Sequence, residues 1–214
     1  MNKIIFGLLL LTAIGSLSSC EDSSKIPAPE VTSVPLVVAK PSTDPKKDHF
    51  NTTRAAFSIT RLASDPNPTR PVFEFTFDIP NQRDVKIKTV EVYKSFKQLT
   101  SIGPRVLVGE YSSFPATVTL NSQEALTGLQ RLLYVSGVST PTLDNLLGDT
   151  PSSRNEIVSG DVILFTFEYV LEDGSRVILT PLTDVRLASG PPAKVISGNQ
   201  VNPPYALQAL FIVR

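Results

Sequence analysis

The chain has 214 residues, and its 20 Lys plus Arg balance 20 Asp plus Glu with no basic block, so it lacks the electrostatic footprint expected of a nucleic-acid partner. That length suits one domain with a core that needs neither disulfide nor metal, and a single cysteine excludes an internal disulfide. Eighteen prolines and 11 glycines punctuate short segments, while the absence of tryptophan removes the best stacking platform for sugars or bases.

Lys3 precedes an apolar run from Ile4 to Ile14, too short for a spanning helix, which needs about 20 residues, but suited to a secretory signal. Leu17-Ser18-Ser19-Cys20 follows. It resembles the lipobox of bacterial lipoproteins, in which two small residues lead to the cysteine that is diacylated and becomes the mature N-terminus. The resemblance implies a signal peptide at residues 1–19 and lipidation of Cys20; two or three acyl chains anchor stably where one does not. Glu21-Asp22 reads either as the acidic stretch that displays Bacteroidetes-type lipoproteins on the outer face of the outer membrane or as part of a solvated tether. Residues 20–30, with Pro27 and Pro29, form that tether, an extended spacer of about 3 Å per residue that lifts the domain off the lipid.

Residues 31–214 read as a single all-β domain. Val31 to Ala39 predicts a first strand, confined to an edge or a bulge by Pro35. Pro41 to Thr53 is polar and holds the only histidine, His49, which reads as a solvated loop residue. Ala55 to Arg61 predicts a short strand, and Val72 to Ile79 alternates cleanly, with Phe73, Phe75, Phe77 and Ile79 on one face. Val85 to Tyr93 changes phase near Lys88 and Thr89, as a β-bulge would. Arg105 to Tyr111 and Ala116 to Leu120 add two strands.

Asn121-Ser122-Gln123-Glu124 reads as a capping box, and the leucines after it predict an amphipathic helix over Ser122 to Leu133, either a lid or a plug for one end of the domain. A further helical turn is expected over Thr142 to Leu147. Val162 to Thr180 predicts a hairpin around Asp173-Gly174, read as a type I′ turn that pairs Val170 with Val177 and Tyr169 with Ile178. Ile163, Phe165, Phe167, Tyr169 and Leu171 then form the core face, and Glu168 lies on the opposite, solvated one. Tyr205 to Val213 is apolar on both sides and predicts a central strand.

These features specify an antiparallel Ig-like β-sandwich with one short helical insertion behind a cleaved lipoprotein signal peptide. The lipobox with its acidic follow-on, the capped helix, the strand opening at Gly160-Asp161, the Asp173-Gly174 hairpin and the final Asn-Pro-Pro-Tyr strand together resemble small Bacteroidetes outer-membrane lipoproteins. Some of these accompany starch-utilisation-type TonB-dependent transporters. The resemblance implies a non-enzymatic binding or assembly module, anchored in the outer membrane and facing either the exterior or the periplasm. Its implied partners are the membrane, a TonB-dependent transporter or other envelope protein, and a glycan, with no nucleic acid and no cofactor.

No serine or cysteine has a histidine partner, and neither a metal-ligand spacing nor a phosphate loop is present. A glycoside-processing enzyme needs only two facing carboxylates, and Asp161 with Glu168 or Glu172 are the acids on offer. Salt links and turns are the more ordinary uses of those three.

Overall fold

Val72–Asp78 becomes a strand with the burial that its alternation predicts: Phe73, Phe75, Phe77 and the following Ile79 are buried, while Thr76 is exposed. The computed structural model describes residues 34–52, 56–58, 70–82, 85–147, 156–197 and 200–213. The expected signal peptide, Cys20, the tether and the start of the first predicted strand lie outside these residues. Within them the chain runs through β1 (Val38–Pro41), β2 (Phe50–Thr52), β3 (Ala56–Ser58), β4 (Val72–Asp78), β5 (Ile87–Gln98) and β6 (Ser101–Ile102). β7 (Val106–Tyr111) and β8 (Ala116–Asn121) lead into α1 (Ser122–Leu126), followed by β9 (Gln130–Leu133), β10 (Thr142–Asn145) and β11 (Glu156–Val158). β12 (Val162–Leu171), β13 (Arg176–Ile178), β14 (Leu182–Val185), β15 (Ala193–Ile196) and β16 (Ala206–Val213) complete the order.

The fold is all-β and its sheets are antiparallel, apart from the parallel pairing of β2 with β16. β1, β4 and β8 form a three-stranded sheet. A seven-stranded sheet is built on β12, with β5 along one side and β16 then β13 along the other; β7 and β6 extend it beyond β5. Three two-stranded ribbons accompany them: β3 with β11, β9 with β10, and β14 with β15.

The aromatic residues of β4 and β12 meet between the two larger sheets. Phe75 is tilted against Phe165 with centroids 4.9 Å apart, Phe73 stacks on Phe165 at 5.5 Å, and Phe77 lies 5.4 Å from Phe167. Each such pair contributes about 0.5–1.5 kcal/mol beyond its area burial. Leu126 and Leu129 are buried in the same core. As expected, β16 is interior, lying between β12 and β2.

Three local expectations are corrected. The hairpin after β12 is not a type I′ turn, because only Gly174 of the Asp173-Gly174 pair has positive φ, at 83°. Gly174 N–H donates to the Leu171 carbonyl and Leu171 N–H to Ser175, which is a three-residue loop closed by a glycine bulge. The register therefore slips by one, Tyr169 pairs with Val177, and Ile178 faces outward at 47% exposure. The predicted helix stops at Leu126, because Gly128 at φ 76° turns the chain into β9. Thr142–Asn145 is a strand that pairs with β9, not a helical turn.

Two other local features form as the sequence predicts. Asn121 caps Gln123 and Glu124 at 2.9 and 3.0 Å while Glu124 accepts from Asn121 N–H at 2.9 Å. In β5, Thr89 pairs with Val170 and Ile87 with Leu171, leaving Lys88 as the extra residue of a bulge.

Candidate functional site

The acids that sequence reasoning singled out are not brought together. Asp161 and Glu168 lie seven positions apart around β12, about 23 Å at roughly 3.3 Å per residue and on opposite faces. Asp161 is buried and accepts from Val158 N–H at 3.0 Å and Gln98 Nε2 at 3.2 Å; burial pushes its carboxyl above the usual range. Glu172 is exposed in the hairpin loop.

Glu168 is not solvated but 4% exposed, and this overturns the expectation of a wet outer face on the large sheet. It sits directly across from Glu91. Arg176 Nε donates to Glu168 Oε1 at 2.6 Å, Arg105 Nη2 to Glu168 Oε2 at 3.1 Å, and Arg176 Nη2 to Glu91. Tyr93 donates its hydroxyl to Glu91 at 2.5 Å and lies under the Arg105 guanidinium, 4.3 Å from the ring centroid. Burial and that hydrogen bond push the Tyr93 phenol up to about 12. Two facing glutamates are thus held by two guanidiniums, and the cluster forms an ionic clamp across β13, β12 and β5.

The remaining titratable candidates are also structural. His49 is not simply solvated: its Nδ1 accepts the Leu210 N–H at 3.3 Å, and its ring stacks on Phe73 at 6.5 Å. Lys94 is buried, with its ammonium donating to the Glu124 carbonyl of α1, and burial lowers its pKa to about 8. Among the described residues no three His, Cys, Asp or Glu side chains cluster as metal ligands, and no helix is long and apolar enough to cross a membrane.

The arrangement best suited to binding was not anticipated from sequence. β5 and β6 are joined by Leu99-Thr100, and Leu99 has φ 53°, the sole described non-glycine residue in that region, with 86% of its surface exposed. A leucine in that conformation is strained by about 1–3 kcal/mol. Beside it, Ser101 Oγ donates to the Leu132 carbonyl at 3.4 Å, which sets the β5–β6 turn against β9, just before the loop that follows it. That loop exposes Tyr134, Val135 and Val138. Between them opens a hollow of about 300 Å³ lined by Thr100, Ser101, Ile102, Leu132, Tyr134 and Val195, with no charged side chain in its wall. The sequence signal was an apolar residue at a hairpin tip, where turns usually place Gly, Asn or Asp.

This hollow and the start of the described chain lie at opposite ends of β12. Ile102 pairs with Lys97, which pairs with Val162 at one end. At the other, the Tyr169 hydroxyl donates to the Pro35 carbonyl at 2.8 Å. The separation along β12 is again about 23 Å. Comparison of the chain with protein-family models, curated proteins and solved structures finds no match.

Proposed function

We propose that the chain is a non-enzymatic cell-envelope lipoprotein of the small Bacteroidetes type, anchored in the outer membrane through diacylated Cys20 after removal of residues 1–19. Residues 31–214 then form one Ig-like sandwich in which the two larger sheets meet through their phenylalanines. Its role is that of a binding or assembly module, and its binding end is the hollow beside Leu99 and Tyr134. The observation that carries this reading is the opposition of the two ends of β12: the segment bonded by Tyr169 at Pro35 lies at one end and the hollow at the other, so an anchor upstream of Pro35 would leave the strained, apolar loop tips facing away. Strain and exposed apolar side chains gathered at one loop cluster favour recognition over a purely structural use.

Mass spectrometry of membrane-extracted protein tests the anchor. The expected N-terminus is Cys20 carrying acyl chains, and Cys20→Ala leaves an unprocessed precursor or a released form. A free Cys20 thiol on membrane-extracted protein contradicts the proposal.

A second reading makes the module a glycan-binding accessory of a TonB-dependent uptake complex. The exposed Tyr134 ring beside the Thr100 and Ser101 side chains, in a hollow without charge, favours a neutral hydroxylated ligand over an ionic one.

A further inference from the structure

The end where the chain enters the fold carries its own apolar surface. Val34, Leu36 and Val38 are 38%, 51% and 42% exposed, and their period of two puts them on one face of the extended segment. The alternate positions point inward: Val37 is buried and the Pro35 carbonyl is held by Tyr169. At the Val38 end of this stripe opens a groove of about 160 Å³, walled by Val38, Ala39, Phe167, Pro203, Pro204 and Leu207 with no charged side chain. Tyr205, 38% exposed, follows Pro204 at its margin, and exposed Lys40 follows Ala39. Aliphatic side chains with a tyrosine and a lysine at the rim match the boundary between acyl chains and headgroups, where a tyrosine keeps its ring in the apolar layer and its hydroxyl in water.

We infer that this stripe and groove are a lipid-contact surface on which the domain rests against the membrane that anchors it. The inference depends on the lipoprotein reading above and adds to it the orientation of the domain. The occupant follows from the tether. Fourteen positions separate Cys20 from Val34, so even fully extended at about 3 Å per residue the chain between them holds Val34 within about 42 Å of the lipid. A tether that long permits the domain to stand off the surface, but it also keeps Val34 within reach of lipid at high effective concentration. A protein partner would have to displace that contact.

The absence of tryptophan makes the test direct. Full-length lipoprotein carrying Tyr205→Trp, and separately Tyr134→Trp, is reconstituted into phosphatidylethanolamine–phosphatidylglycerol vesicles with and without brominated acyl chains. The expected result is a blue-shifted indole in Tyr205→Trp, quenched at least twofold by the brominated lipid, and an unquenched one in Tyr134→Trp. Adding Leu36→Glu to Tyr205→Trp should abolish the quenching. Unquenched emission from Tyr205→Trp, equal quenching in both variants, or quenching that survives Leu36→Glu would each overturn the inference; unquenched emission with a blue shift would point to a second copy of the chain on this surface instead. Mass spectrometry of the same sample separates the two failures. If Cys20 is unacylated, the lipoprotein reading falls and takes this inference with it. If Cys20 is acylated and Tyr205→Trp is unquenched, only the lipid contact fails.

Discussion

Glu168 shows how far a single side chain can depart from the pattern of its strand. Alternation along β12 puts it opposite the aromatic face, where a carboxylate is ordinarily solvated. Here it accepts from both Arg105 and Arg176 at 4% exposure. Glu168→Ala leaves both guanidiniums without that partner and should lower unfolding stability by about 3 kcal/mol, the low end for a broken buried pair, because Arg176 is half open to water. Glu172→Ala, in the exposed loop, should stay within about 0.5 kcal/mol. Urea unfolding of both variants decides it, and equal losses would show that the clamp adds nothing. The clamp was illegible in sequence because its partners are remote: Arg105 is 63 positions from Glu168 and Glu91 is 85 from Arg176. Phe73, Phe75 and Phe77 were legible because their burial follows from the strand's own period.

At the scale of elements, the features read correctly are those that local chemistry decides. The capping box needs only Asn121 and Glu124, and the bulge at Lys88 appears as a phase slip within one strand. The errors arise where a neighbour decides. Leucines spaced for a helix after Gly128 were taken instead by strand pairing between β9 and β10, and one glycine bulge moved β13 by a residue, exchanging Val177 for Ile178 on the core side. β9 also approaches the segment after β6 so closely that a β-carbon on Gly103 would sit 1.8 Å from the Gln130 carbonyl oxygen. Gly103→Ala must separate these segments and should cost about 1–3 kcal/mol, as overpacking does. Gly109→Ala is the control, since its β-carbon comes no nearer than 3.4 Å to the Tyr111 ring, and it should cost less than Gly103→Ala. Thermal unfolding of the pair orders them; the reverse order would mean that the β6–β9 contact is loose and the hollow beside it is not preformed.

Over the whole molecule, the β-rich class and the aromatic core could be read from sequence, but the candidate site could not. Leu99 and Tyr134 gain meaning only when the turn after β5 and the loop after β9 are brought side by side, an arrangement set by contacts distant in the chain. In the proposed function these tips face away from the membrane that anchors the domain. Single-cysteine variants test it in intact cells, because acylation of Cys20 would leave an introduced thiol as the sole reactive one. A membrane-impermeant maleimide should label Val138→Cys, beside Tyr134, as fast as in detergent-solubilised protein, and Ser175→Cys, in the hairpin at the other end, several-fold more slowly. Labelling of Val138→Cys no faster than Ser175→Cys, whether in intact cells or after the outer membrane is permeabilised, would contradict this orientation.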